Sequence, residues 1–416
     1  PEGVRFALGR TGGETWTTCM TDIRTQLIHH PYRAPAEFDA VPVAVHKAST
    51  VFFNNVADLR SRRWKDKSGY TYGLHGTPTT FTLEERLATL EGGTHCLLAP
   101  SGLAAVALVD TAFLQQGDEM LLPDNVYGPN LALADGELRG WGISHRFYDP
   151  MDPADLAAKI TPATRLVWLE AAGSITLEFP DLPALTAVIR EANARRGAGA
   201  RPIVSALDNT WGAGIAFNAF ELGMDVSMQA LTKYPSGGAD VLMGSVITRD
   251  EALHRQVLLT HMRLGLGVGA NDIELVLRGL PSIELRYRAQ DASTRALASW
   301  MQTQPGVIRV LHPALPGSPG HEAWARDARA AACLFSAVFD PAIPQQRIDA
   351  FCDGLRLFRL GWSWAGPVSL CAPYQMASLR SQGWPLAGGL VRFAVGLEAV
   401  GDLQADLAQA MPLLQA

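Results

Sequence analysis

The sequence lacks the marks of several protein classes. Its five cysteines (Cys19, Cys96, Cys333, Cys352 and Cys371) are odd in number, scattered and free of CxxC spacing. That excludes a disulfide framework or a thiolate zinc site and points to free thiols in a reducing compartment. Each reads as core filler rather than as a nucleophile. No stretch reaches the roughly eighteen unbroken apolar residues of a membrane span, and the N-terminal segment lacks the apolar run of a signal peptide. A soluble cytoplasmic protein with no membrane partner is expected; the sequence opens on Pro1 rather than methionine, so residues upstream of it are expected too. Thirty-five basic residues face forty-one acidic ones, a net charge of −6. No basic block stands out, so nucleic acid is not an expected partner. His29-His30 and the other histidines lack ligand spacing, so no metal site is expected. The run Gly265-Leu266-Gly267-Val268-Gly269 has no strand leading into it and fails as a dinucleotide loop. There is no internal repeat and no low-complexity tract.

What is present suits a large enzyme. With 416 residues, 48% of them hydrophobic, the chain can bury a sizeable core in two domains. Residues 1–75 show little periodicity and include Arg60-Ser61-Arg62-Arg63; they read as an extended arm of use in clasping a neighbouring subunit. From Glu84 to about Leu280, apolar runs of strand length (His95–Pro100, Glu119–Pro123, Arg165–Ala171, Ile203–Asp208, Val226–Ala230, Val241–Thr248) alternate with helical spacing at 83–91, 102–116, 153–159, 181–196 and 216–223. That alternation predicts an α/β, mostly parallel, doubly wound sheet over 76–280. Residues 281–416 read as a smaller α/β domain that opens with a long helix. It continues with strands at 333–339, 355–361 and 390–396, helices at 345–354 and 402–414, and a Pro/Gly loop at 312–320.

The chemistry concentrates at the ends of the predicted strands. Asp208 and Lys233 close two neighbouring apolar runs, which places a carboxylate and an amine where open α/β sheets bind ligands. Pyridoxal phosphate needs such a pair: a lysine to form the Schiff base and an acid to keep the ring nitrogen protonated. A core ion pair is the plain alternative. Pro100-Ser101-Gly102-Leu103 follows a strand and opens a helix, so its free N–H groups can hold a phosphate or merely cap the helix. Tyr127, on the loop after the next strand, can stack on a flat ring or serve as a structural tyrosine. Thr232 offers a hydroxyl beside Lys233. Arg392 sits in the apolar strand Leu390–Val395, where it meets either an internal carboxylate or the α-carboxylate of an amino-acid substrate.

These segments, with Tyr72-Gly73-Leu74-His75-Gly76-Thr77, Gly173-Ser174-Ile175-Thr176-Leu177-Glu178, Leu207-Asp208-Asn209-Thr210-Trp211, Gln229-Ala230-Leu231-Thr232-Lys233-Tyr234, Ser363-Trp364 and Arg392-Phe393-Ala394-Val395-Gly396-Leu397-Glu398, resemble the pyridoxal-phosphate-dependent enzymes of cysteine and methionine metabolism. The resemblance runs from about Tyr70 to the C-terminus and lies nearest the β-eliminating branch. It implies a fold type I architecture and a homotetramer, built as a dimer of dimers with shared active sites. It implies that Lys233 holds the cofactor and acts on Cα, that Asp208 pairs with the pyridine nitrogen and that Tyr127 stacks on the ring. Ser101, Gly102, Leu103 and Thr232 would hold the phosphate, Tyr72 would enter from a neighbouring subunit, and Arg392, Ser363, Trp364 and Trp362 would meet the substrate. The implied reaction converts L-cystathionine to homocysteine, pyruvate and ammonia, a step of methionine biosynthesis. A γ-lyase, a γ-synthase or a broad cysteine-S-conjugate lyase stays open. Leu74 stands where relatives place a phosphate-binding arginine, Ala171-Ala172 where Ser-Pro is common, and Trp362 at a tyrosine position.

Overall fold

Apolar runs bounded by turn residues build the central sheet of the computed structural model, which describes residues 40–61, 66–197, 199–376, 380 and 385–415 together with Asp22, Thr25 and Ile28. Cys19, His29, His30, Arg62, Arg63 and most of the expected arm lie outside the described residues. The strands are His95–Ala99 (β1), Glu119–Pro123 (β2), Ser144–Tyr148 (β3), Thr164–Glu170 (β4), Val204–Asp208 (β5), Val226–Ala230 (β6) and Gly244–Thr248 (β7). They lie in the order β1-β7-β6-β5-β4-β2-β3. Only β7 runs antiparallel to its neighbours, so the sheet is mostly parallel, as expected. Val43–Ala416 form one unit, separate from Pro1–Pro42.

The helices between the strands start on local caps. Ser101 accepts a hydrogen bond from the Ala104 amide at 3.0 Å and starts the helix Gly102–Phe113. Thr77 and Pro78 start Pro78–Glu91, which ends on Gly92 in the left-handed region at φ 71°; a side-chain oxygen at the cap and a glycine past the end are the expected punctuation. Asp181 and Asp250 cap Leu182–Ala194 and Glu251–Leu264 in the same way.

A second sheet takes up Val307–Leu311 (β8), Leu334–Phe339 (β9), Arg359–Leu360 (β10), Leu370–Tyr374 (β11) and Leu390–Ala394 (β12), ordered β10-β11-β12-β9-β8. The long helix Ile283–Met301 precedes it. Cys96, Cys333, Cys352 and Cys371 are buried free thiols.

Several expected elements differ, each for a local reason. Residues 216–223 form turns rather than a helix, because the Asn218 side chain accepts from the Phe220 amide at 3.0 Å and so competes with helical bonding. The strand expected at 355–361 shrinks to Arg359–Leu360, because the Asp406 carboxylate takes the amides of Arg356, Leu357 and Phe358 at 2.8, 2.7 and 3.1 Å. The ladder of β7 begins only at Gly244, since the Met243 amide bonds to the Thr232 hydroxyl at 3.2 Å. The helix expected at 102–116 stops at Phe113, where Leu114 turns extended. The helix at 402–414 spans Val400–Ala410 and finishes as a tighter turn over Met411–Leu414.

Candidate active site

The parallel strands β4, β5 and β6 end side by side. Glu170 pairs with Asp208 in the register, and Asp208 with Met228. β1 runs in the same direction as β6, since β7 is antiparallel to both. The helix Gly102–Phe113 therefore starts at the same edge of the sheet. A cavity of about 500 Å³ opens there, lined by Gly102, Tyr127, Asp208, Lys233 and Arg392 among others. The crevice outside the carboxyl ends of the strands is where open α/β sheets hold ligands.

Asp208 and Lys233 share this cavity without pairing directly. The Lys233 Nζ instead donates to Ser363 Oγ at 2.9 Å and stands 5.6 Å from the centre of the Trp364 ring. The core ion pair that was the plain alternative is not formed. Burial, followed by the charge of Arg392, pushes the Lys233 ammonium down to about 8. Burial raises the Asp208 carboxyl, an effect opposed by the Thr210 amide, which donates to Oδ1 at 3.0 Å, and by the charge of Lys233. A lysine brought down this far has a sizeable neutral fraction near physiological pH and is suited to attack an aldehyde.

Arg392 is 5% exposed and meets no carboxylate among the described residues. Its Nη1 donates to the Ser174 carbonyl at 2.9 Å and its Nη2 to the Trp362 carbonyl at 3.3 Å, while the guanidinium lies 5.4 Å from the centre of the Tyr374 ring. Burial depresses its pKa. A buried guanidinium bonded only to carbonyls and open to a cavity is prepared for an anion brought from outside.

The end of the cavity beside the helix start is built from main chain. A Cβ added at Gly102 would lie 2.7 Å from the Ala230 Cβ, so glycine lets the helix start sit against β6 at the border of the cavity. Ser101 and Leu103 border the same space. Thr232 lines it too, with its hydroxyl already engaged by the Met243 main chain. Two of the residues that line the cavity carry a buried polar atom with no partner among the described residues: Glu170 Oε2 and Trp211 Nε1. Orphaned donors and acceptors around a space of this size fit a polar heteroaromatic ligand with a phosphate arm.

Trp364 and the exposed Trp362 form part of the mouth, with Trp362 set edge-on to Tyr374 at 5.4 Å. Tyr72 does not line this cavity; it borders a separate cleft with Leu74, His75 and His261. Sequence reasoning missed Glu170 and Tyr374. Glu170 ends a strand just as Asp208 does and carried the same signal, whereas Tyr374 sits on β11, whose run Leu370–Tyr374 was not read as a strand.

A lysine and an acid at parallel strand ends, with a helix start facing them, define a vitamin B6 enzyme of the mostly parallel α/β type. Residues 24–412 match the family of Cys/Met metabolism PLP-dependent enzymes, and the chain belongs to that family, with pyridoxal phosphate as its cofactor. It is 38% identical over 398 residues to the cystathionine beta-lyase of Bordetella avium, covering 92% of this chain and 96% of the relative. Against the cystathionine beta-lyase of Escherichia coli the identity is 36% over 391 residues, with the same coverage of each chain. Among solved structures it is similar to cystathionine gamma synthase from Xanthomonas oryzae pv. oryzae in complex with aminoacrylate and cysteine. There the TM-score is 0.81 at 28% identity, over 90% of this chain and 94% of that one.

Proposed function

We propose that this enzyme catalyses β-elimination from L-cystathionine: the Cβ–S bond breaks, homocysteine leaves, and with one water the remaining fragment becomes pyruvate and ammonia. The observation that carries the reading is the buried Arg392, which meets no carboxylate among the described residues and lines the same cavity as Lys233; it suits an α-amino acid held by its carboxylate with its Cα near the lysine. The identities of 36% and 38% to proteins named cystathionine beta-lyase support the β-acting branch.

Bound pyridoxal phosphate supplies the electron sink for the pair left on Cα. Lys233 holds the cofactor and, once released by the substrate amine, takes the Cα proton on Nζ. Its amine, brought down to about 8, is suited to that transfer. Asp208 keeps a proton on the ring nitrogen and Tyr127 covers the ring face. The amides of Gly102 and Leu103, with Ser101 and Thr232, receive the phosphate. Arg392 grips the substrate carboxylate, Ser363 steadies the Lys233 Nζ, and Trp362 and Trp364 exclude water from the mouth.

The arm 1–75, the cofactor domain 76–280 and the domain 281–416 are assigned on this reading, as are a cytoplasmic location and a homotetramer. In that assembly Tyr72, which borders a cleft of its own in the protomer, enters a neighbour's active site. Leu74 then leaves the phosphate without an arginine from across the interface.

The test is a panel of L-cystathionine and S-substituted cysteines read out by keto-acid identity. Pyruvate with homocysteine is expected, and Lys233→Ala should form neither. α-Ketobutyrate with cysteine, and no pyruvate, would overturn the β-lyase assignment in favour of a γ-acting enzyme.

A further inference from the structure

The register that pairs Glu170 with Asp208 puts a second carboxyl at the cavity, one with no part in the chemistry described so far. Glu170 is 5% exposed. Its Oε1 accepts from the Tyr127 amide at 2.5 Å, and its Oε2 is buried, without a partner among the described residues, on a side chain that lines the cavity. We propose that Glu170 is a positioning residue of the cofactor site, one oxygen fixing the main chain that carries Tyr127 and the other facing the ring of pyridoxal phosphate. The inference rests on reading this cavity as the cofactor's seat.

The charge of Glu170 follows from its surroundings. Asp208 faces it from β5, Tyr148 from the end of β3, Glu178 from the loop after β4, and Arg380 from the segment before β12. Arg380 is held by Glu178 and by Thr176 Oγ1, the latter at 2.8 Å, with Asp124 Oδ2 at 3.6 Å. Two carboxyls abreast in a buried pocket do not both ionise. Asp208 has the Thr210 amide and hydroxyl and the charge of Lys233 to favour its anion, whereas Glu170 has one amide and the charge of Arg380, which is itself bonded to Glu178. Asp208 therefore carries the charge and Glu170 the proton; burial, and next the Asp208 charge, push the Glu170 carboxyl well above its usual range. A neutral Glu170 offers an O–H on a side chain that lines the cavity, a donor suited to an oxygen on the cofactor ring. It also leaves Asp208 as the single anion available to the ring nitrogen.

The test uses the full enzyme, stripped of cofactor and titrated with pyridoxal phosphate, as Glu170→Gln, Glu170→Ala and Asp208→Asn. The readouts are the dissociation constant and the visible circular dichroism of the bound cofactor. Glutamine keeps an acceptor for the Tyr127 amide and a donor toward the cavity. Glu170→Gln should stay within about threefold of the native constant and keep the dichroic band, while Glu170→Ala weakens binding about tenfold or more and diminishes it. The pH midpoint of the visible absorbance should stay in place in Glu170→Gln. A downward shift beyond about half a unit would mean that a negative charge had been removed, and would overturn the neutral assignment even if the alanine variant fails to fold. Alanine behaving as native while Asp208→Asn impairs binding overturns the role of Glu170 alone. If neither variant alters binding, the cavity is not the cofactor's seat and the inference falls with that reading.

Discussion

Replacing Arg392 by methionine should make the resting enzyme more stable while removing its grip on substrate. The guanidinium is 5% exposed and its companions are two carbonyls and the face of Tyr374. Methionine approximates its volume without a charge. Two carbonyls lose donors, at about 1 kcal/mol each. Against that stands the relief of a buried charge whose effective desolvation penalty is several kcal/mol. The difference favours the variant by about 1–2 kcal/mol, and the apparent Tm of the cofactor-loaded, substrate-free enzyme should rise. With substrate the balance reverses. Truncating one partner of a buried, hydrogen-bonded charge pair costs about 2–5 kcal/mol, a loss of about 30- to 4,000-fold in kcat/KM for L-cystathionine. Cofactor absorbance should remain, which separates this loss from failure to bind pyridoxal phosphate. A variant with lowered Tm and kcat/KM within threefold of native would show that Arg392 is a structural cation and that the substrate carboxylate binds elsewhere.

Reconstitution of the apoenzyme should quicken about tenfold per pH unit until about pH 8, where Lys233 becomes neutral, and then level; a rate still climbing towards pH 10 in stopped-flow absorbance would refute the depressed amine. Gly102→Ala should weaken pyridoxal phosphate binding about tenfold or more, because its Cβ would lie 2.7 Å from that of Ala230 and the helix start must move away; an unchanged dissociation constant would refute the phosphate seat. Asp110 is buried with one partner, Trp168 Nε1 at 2.8 Å, and burial raises its carboxyl from 3.8 to about 7. An acid raised in the fold adds stability that is complete below its unfolded value and is lost as pH rises to its folded one. Asp110→Asn keeps the acceptor and removes the titration, so its stabilisation in urea unfolding should grow by about 2 kcal/mol from pH 5.5 to 8.5, and equal midpoint shifts at both would refute the buried-acid argument.

What the sequence disclosed depended on how completely one kind of contact determined each segment. Strands buried on both faces, such as Glu119–Pro123 with Met120-Leu121-Leu122 and Thr164–Glu170 with Leu166-Val167-Trp168-Leu169, appear as apolar runs because core packs against both of their faces. The edge strand Ser144–Tyr148, with residues alternately exposed, reads as loop because solvent is one of its neighbours. Leu355–Phe358 reads as the start of a strand, yet the amides of Arg356, Leu357 and Phe358 belong to Asp406, about fifty residues along the chain. No local pattern carries that competition.

The site divides along the same line. Asp208, Lys233 and Arg392 were legible because each is a polar residue in an apolar segment, a burden the fold tolerates only where a ligand or partner meets it. Glu170 breaks the same rule at the end of the neighbouring strand. Its importance emerges only once the register sets it abreast of Asp208, since the identity of the charged acid depends on both at once. Tyr72 marks the opposite limit: the sequence offers it to a cofactor site, and within one protomer it borders a different cleft. If Tyr72 serves a partner's site, Tyr72→Phe mixed with Lys233→Ala, each inert or impaired alone, should regain activity in hybrid oligomers, because one class of site then combines an intact lysine with an intact tyrosine. Hybrids no more active than the sum of their parents would confine each active site to a single chain.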